Sequence, residues 1–315
     1  MKFNKVFFLA IVSIVFVWSC KKDDDGPTYE PPKALSEIVN QNNDSIVKYM
    51  ETHFYNYEEF ANPPADFDYS IVLGKIEGDN ADKTPLSEMM QSKTVTVRSR
   101  EIGLDDDKEV EHTYYYLVAR EGAGEAPTVA DATYIRYEGS LLNGTIFDAS
   151  TVSPIWLQYE NRIRGFSEGT QHFKAGNNTV VNDDGTYEIQ NYGVGLIIFP
   201  SALGYYSGAT GAIPAYNPLI FKIDLMAVNE ADHDNDGVPS YREDLNGNGY
   251  LADDNTDKKS EEKIQTQLVP NYADSDDDND GRLTRDEISD ADGNIVFPYP
   301  DSNNDGTPDY LDPNY

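Results

Sequence analysis

Residues 134–150, YIRYEGSLLNGTIFDAS, decide the fold. In the first half Tyr134, Arg136 and Glu138 alternate with Ile135, Tyr137 and Gly139, the period of a strand. Asn143-Gly144 then marks a tight turn, because Asn and Gly tolerate positive φ at little steric cost. The chain returns through Ile146 and Phe147 to Asp148. A hairpin of this kind brings a tyrosine and a phenylalanine near one carboxylate.

Outward from this stretch, 109–120 reads as a strand, with a hairpin tip at 104–107 before it. Residues 153–157 read as another strand, 166–173 as one short helix and 196–200 as a strand of the buried type. Leu219, Phe221, Ile223 and Leu225 alternate with Ile220, Lys222, Asp224 and Met226, the pattern of a half-buried antiparallel strand. Trp156 and Phe173 are expected in the core. In 182–195, Asp184-Gly185 signals a hairpin, read either as a lengthened link or as a rim that touches client protein. Upstream, 70–73 and 94–98 read as strands. Asn43 or Asp44 caps a helix to about His53, with Ile46, Val47, Met50 and Phe54 on its apolar face. His53 and His112 stand alone and read as packing or surface histidines.

These segments together resemble the FKBP-type peptidyl-prolyl isomerases. Residues 134–150 follow that family's "hYxGxLxxGxxFDSS". RIRGFSEG at 162–169 follows "VIxGWxEG", with Phe166 for the tryptophan and Arg162 for a small apolar residue. SALGY at 201–205 follows "PPELAYG", and GATGAIP at 208–214 follows the flap, with Ala215 in place of its second proline. The resemblance implies an α+β fold, a curved antiparallel sheet wrapped around one short helix. It also implies a proline-binding cleft: Phe147, Ile163, Phe166 and Phe221 grip the ring, Tyr205 donates to a substrate carbonyl, Tyr137 and Asp148 shape the carbonyl side, and Ile213 comes from the flap. Such chemistry needs no nucleophile, metal or cofactor.

The formal net charge is −32, from 56 acidic and 24 basic residues, which argues against a nucleic-acid partner. Residues 1–19 read as a targeting segment: Lys2 and Lys5 precede an apolar run at 6–17, too short for a membrane span. Cys20, the only cysteine, ends that run. With Val17 and Ser19 it resembles a bacterial lipobox, so Cys20 is the expected lipidation site; an ordinary cleaved signal with a chance cysteine is the alternative. Lys21-Lys22-Asp23-Asp24-Asp25 either resembles the surface-export signal of Bacteroidetes lipoproteins or is a solvated linker. Pro27, Pro31 and Pro32 keep the tether at 20–33 extended.

Beyond residue 231 aspartate crowds the chain. Three twelve-residue stretches, 232–243, 276–287 and 301–312, carry oxygen side chains at positions 1, 3 and 5, Gly at 6 and an acid at 12. That is the ligand spacing of a calcium loop, with the position-7 carbonyl completing the shell. The candidate ligands are Asp232, Asp234, Asp236, Val238 and Glu243; Asp276, Asp278, Asp280, Arg282 and Glu287; and Asp301, Asn303, Asp305, Thr307 and Asp312. A poorer copy begins at Asp244. Flanked by Val-Pro or Thr-Pro turns rather than long helices, these loops resemble thrombospondin type 3 repeats. The alternative is a disordered acidic tail.

The sequence thus predicts a tether at 20–33, an accessory region at 34–112, an isomerase-like domain at 113–230 and calcium repeats at 231–315. The function it predicts is isomerisation of X-Pro bonds in exported polypeptides by a lipoprotein of the bacterial outer membrane, facing periplasm or cell surface. The competing reading is a noncatalytic binder of proline-containing segments with adhesive calcium repeats.

Overall fold

The structure, a computed structural model, describes residues 31–315; the expected signal at 1–19, Cys20 and most of the tether lie outside the described residues. From the N-terminus the elements are helix α1 (Leu35–Thr52), strand β1 (His53–Tyr55), helix α2 (Tyr57–Ala61) and strands β2 (Leu73–Lys75), β3 (Gln91–Arg98), β4 (Glu109–Arg120), β5 (Ala132–Leu141) and β6 (Ile146–Gln158). Helix α3 (Arg164–Thr170) follows, then strands β7 (Asn178–Val181), β8 (Tyr187–Gln190), β9 (Gly193–Phe199) and β10 (Leu219–Asn229), and helices α4 (Lys258–Ile264) and α5 (Thr284–Glu287).

The main sheet has six antiparallel strands in the order β3-β4-β9-β10-β5-β6. Every residue of β9 is buried, because both faces of this central strand are covered, so its apolar pattern is continuous rather than alternating. On one face α3 lies against Ile197 and Phe199. A Cβ at Gly165 would sit 2.4 Å from the Phe199 ring, so only glycine permits that approach. On the other face Ile46 and Met50 of α1 pack with Leu117, Val194, Leu196, Ile198 and Ile220.

Helix α1 begins at Leu35, earlier than the capping signal at Asn43 or Asp44 suggests. Its buried face is Leu35, Ile38, Asn42, Ile46 and Met50, and burial rather than a side-chain cap sets its start. Asn42 is part of this face because its amide is satisfied: Nδ2 donates to the Tyr216 carbonyl at 2.9 Å, and Oδ1 accepts from the Ser201 amide at 2.7 Å. The region before 113 is integrated with the sheet: β3 is its edge strand, and 113 falls inside β4.

Trp156 corrects a second expectation. It is 54% exposed, whereas Phe173 is fully buried. Strand β6 is the other edge, and of its side chains only Leu157 is buried; Trp156 instead meets Tyr134 in a tilted contact, with ring centroids 5.3 Å apart. The hairpin in 182–195 is present, with β7 and β8 paired and Gly185 at φ +84°.

Residues 33–315 cluster as one unit, the acidic tail included. Arg98 of β3 pairs with Asp253, and Arg164 of α3 donates to the Asn248 carbonyl at 2.9 Å. The tail's own apolar core is small: Val238, Ile288 and Tyr310, with Tyr299 and Leu311 against them.

Candidate functional site

Sheet register assembles the cleft. Phe221 of β10 stands opposite Gly139 of β5, and Gly139 stands opposite Asp148 of β6. A Cβ on Gly139 would meet the Phe147 ring at 2.6 Å and the Phe221 ring at 2.9 Å, so the missing side chain is what lets the two rings approach. Phe147 and Phe221 meet edge to face at 5.6 Å, and Phe166 from α3 meets Phe221 at 5.1 Å. Tyr137 completes the group, 6.1 Å from Phe166 and 6.2 Å from Phe221. These are the offset and T-shaped arrangements that aromatic quadrupoles favour.

The group is apolar at its base and polar at its lip. Phe166 and Phe221 are buried, Phe147 and Tyr137 half-buried, and Asp148 exposed. The Tyr137 hydroxyl donates to Oδ2 of Asp148 at 2.6 Å. Burial first, and then that bond and the charge of Asp148, push the Tyr137 phenol up to about 12, so it stays a donor at neutral pH. Arg162, exposed, and Tyr205 lie close enough to bear on the same phenol. Tyr205 is 41% exposed and its hydroxyl bonds no described group, which leaves it a donor for a ligand. Ile213 is buried in the cluster that holds Phe166, Phe199 and Phe221, with Ile163 at its edge. Tyr137, Phe147, Phe166 and Phe221 thus meet directly, with Asp148 bonded to Tyr137 and Tyr205 near it, while Ile163 and Ile213 belong to the wider core around them.

Two supports escaped the sequence reading. Tyr206 follows Tyr205 where the family pattern has glycine, and its backbone is left-handed, with φ +46°. Its ring is buried and its hydroxyl donates to the Lys33 carbonyl at 2.5 Å, tying the loop under Tyr205 to the start of α1. The second support is the ionic anchor of α3. Arg164 binds Glu101 at 2.7 Å and lies 3.5 Å from Glu168, while Lys93 reaches Glu168 at 3.2 Å. A cavity of about 300 Å³ beside this anchor is lined by Ile163, Leu203, Tyr250, Leu251 and Tyr272 among others. Of the eight side chains singled out in the sequence only Ile163 reaches it, so it is a neighbouring space between α3 and the tail.

In the tail the carboxylates of Asp232, Asp234 and Asp236 converge, as do those of Asp276, Asp278 and Asp280, each group with oxygens within 4.8 Å of one another. One oxygen of each residue is held by a loop amide: Gly237 donates to Asp232 Oδ2, Asp236 to Asp234 Oδ1 and Val238 to Asp236 Oδ1. The other oxygens, Asp232 Oδ1, Asp234 Oδ2 and Asp236 Oδ2, are buried without a hydrogen-bond partner. In the second loop the same holds for Asp276 Oδ1, Asp278 Oδ2 and both oxygens of Glu287, whose nearest cation is Arg282 at 3.6 Å. Buried, unbonded carboxylate oxygens are costly unless a cation satisfies them, and an all-oxygen set of this kind fits a hard divalent ion. Burial, and then neighbouring negative charge, pushes Asp234 up to about 7 and Glu243 up to about 10. In the third loop Asn303 Nδ2 donates to Asp312 at 2.8 Å and to Asp305 at 3.3 Å, and Asp301 accepts from Gly306. Val238, Arg282 and Thr307 hold position 7, and the amide of each donates to the position-5 aspartate.

Comparison with known proteins matches two segments. Residues 124–226 match the family model "FKBP-type peptidyl-prolyl cis-trans isomerase", and residues 233–300 match "BamM C-terminal". Among curated relatives, the peptidyl-prolyl cis-trans isomerase Mip of Coxiella burnetii is 31% identical over 36% of this chain and 44% of its own length. The FKBP-type peptidyl-prolyl cis-trans isomerase FkpA of Buchnera aphidicola is 34% identical over 36% of this chain and 40% of its own. The chain thus spans less than half the length of these relatives. The crystal structure of FkpA from Escherichia coli aligns at 20% identity over 62% of this chain and 63% of that one, with a TM-score of 0.33. The segment that matches the isomerase family model, residues 124–226, includes all eight side chains singled out in the sequence.

Proposed function

We propose that this protein isomerises X-Pro peptide bonds in exported polypeptides. The observation that carries the reading is the packing of Phe147, Phe166 and Tyr137 about Phe221, with Asp148 accepting from the Tyr137 hydroxyl. Rotation about an X-Pro bond passes a twisted amide whose barrier is about 18–20 kcal/mol. Uncatalysed exchange takes about 10–100 s. No covalent chemistry is required. The site must bind the twisted amide better than either planar form. Rings that hold proline strip water from the amide carbonyl, and that water stabilises the planar, polarised form more than the twisted one. Tyr137 is committed to Asp148, so Tyr205 is the residue able to hold a substrate carbonyl. A millionfold acceleration asks about 8 kcal/mol of this preference.

We further propose that Cys20 carries a lipid anchor holding the protein in the outer membrane, facing periplasm or cell surface. The basic and apolar runs that end at Cys20 support this. Calcium would be a structural ion of the tail, supported by the buried, unbonded oxygens of its first two loops. A noncatalytic binder of proline-containing segments is the second reading, favoured by Arg162, an exposed cation beside Tyr137 where the family pattern is apolar. A proline-peptide isomerisation assay separates the two: catalysis supports the first reading, and peptide binding without rate enhancement leaves the second.

A further inference from the structure

The spacing within each acidic loop assigns its ligands one loop at a time, with Glu243 closing the first. The structure arranges them differently. Glu243 converges with Asp236 of its own loop and with Asp277 of the second loop, their oxygens within 4.8 Å of one another. Asp277 stands at position 2 of its loop, outside the ligand spacing. All three residues are at least nine-tenths buried, at 2%, 1% and 1% exposure. Asp236 Oδ2, both oxygens of Glu243 and Asp277 Oδ1 have no hydrogen-bond partner. The Asp277 carboxylate is aimed rather than loose: its Oδ2 accepts from the Thr284 hydroxyl at 2.8 Å, which fixes the plane and turns Oδ1 to the cluster.

We infer that Asp236, Glu243 and Asp277 form a composite calcium-type cation site between the two loops, joined through Asp236 to a second ion held by Asp232 and Asp234. This rests on reading the tail as a cation-binding module and goes beyond it, since no single loop contains the site. Two divalent ions, +4, offset four of the five carboxylate charges, and Arg285, whose charge bears on Asp236, stands against the fifth. A bridging carboxylate is ordinary oxygen coordination for a hard ion of flexible geometry. It follows that the first loop fills properly only when the second is in place, because Asp277 reaches it from 34 positions beyond Glu243. The two loops then load as one unit, and the small core of Val238, Ile288 and Tyr310 is closed by the same step.

The test is calcium titration of the full chain, with bound ions counted by native mass spectrometry and affinity measured by calorimetry. The variants are Asp277→Asn, Glu243→Gln and, as a control, Asp286→Asn, an exposed residue of the second loop outside both clusters. Changing an outer-shell partner alone costs about 10–100-fold in metal affinity, so losing a ligand sets a floor of about tenfold. Asp277→Asn and Glu243→Gln should each lose one ion and weaken the ion at Asp232 and Asp234 by at least that factor; Asp286→Asn should change neither. Should Asp277→Asn fail to fold, Thr284→Val, which removes the hydroxyl that orients the Asp277 carboxylate, carries the test and should likewise weaken the ion at Asp232 and Asp234. Wild type binding calcium with both variants retaining every ion at unchanged affinity would overturn the composite site and leave the looser reading of the tail standing. No calcium bound by wild type would overturn both.

Discussion

Tyr137 and Asp148 meet at 2.6 Å across the lip of the aromatic cleft, from adjacent strands whose register sets Asp148 opposite Gly139. The bond fixes the tyrosine beside the Phe166–Phe221 pair, its ring 6.1 Å from the first and 6.2 Å from the second. Replacing Asp148 with Ala should lower kcat/KM about tenfold, the equivalent of about 1.4 kcal/mol. The Tyr137 phenol, pushed up to about 12, should fall only in part, since burial remains its first cause, read by ultraviolet titration against a Tyr137→Phe control.

Gly139→Ala tests the close approach of the rings. The added carbon falls within 2.9 Å of both Phe147 and Phe221, and both are ring atoms that move only if the cleft widens. Overpacking of this kind costs about 1–3 kcal/mol. Urea unfolding should show that loss, and isomerase activity should fall further than stability accounts for at 25 °C.

Arg164 anchors α3, and through it Phe166. Its side chain is 10% exposed, and it serves Glu101 and Glu168, at 5% and 2%. Arg164→Ala leaves two buried carboxylates with less compensation, a loss of about 3–5 kcal/mol. It also severs the bond to the Asn248 carbonyl, so the tail should become more sensitive to protease in the same variant.

His172 gives a pH dependence whose sign is fixed. Its ring stacks on Tyr116 at 3.5 Å and lies 2.9 Å from the Tyr114 hydroxyl. Burial, and then the charge of Lys93, lowers it to about 4, against about 6.5 in an unfolded chain. Between these values the unfolded state binds the extra proton. The contribution is therefore complete above pH 6.5 and lost as pH falls toward 4. Denaturation midpoints at pH 7 and pH 5 should differ less in His172→Gln than in wild type, by a margin reduced because the ring is partly solvated.

Much of this was legible in the sequence. The alternation from Leu219 to Met226 and the Asn-Gly turn locate β10 and the β5–β6 hairpin, but the half-buried reading of β10 falls short, because Ile220 and Met226 are buried as well and Ile220 packs on the face that α1 covers. What escaped depends on partners remote in the chain. Trp156 looks like core until β6 is known to be an edge, and α1 starts early because its face meets the sheet rather than because a residue caps it. Tyr206 holds a left-handed backbone under Tyr205 and carries no spacing signal. Asp277 breaks the loop pattern, so one-dimensional spacing passes over it.

The central claim meets its most direct test in an isomerisation assay of the full chain on a proline-containing peptide, comparing wild type with Phe221→Ala and Tyr205→Phe. The account predicts a rate well above the uncatalysed exchange for wild type. Phe221→Ala should nearly abolish that rate, and Tyr205→Phe should reduce it by about tenfold, the loss of one hydrogen bond of about 1.4 kcal/mol. A wild-type rate equal to background, or one that both substitutions leave unchanged, would contradict it.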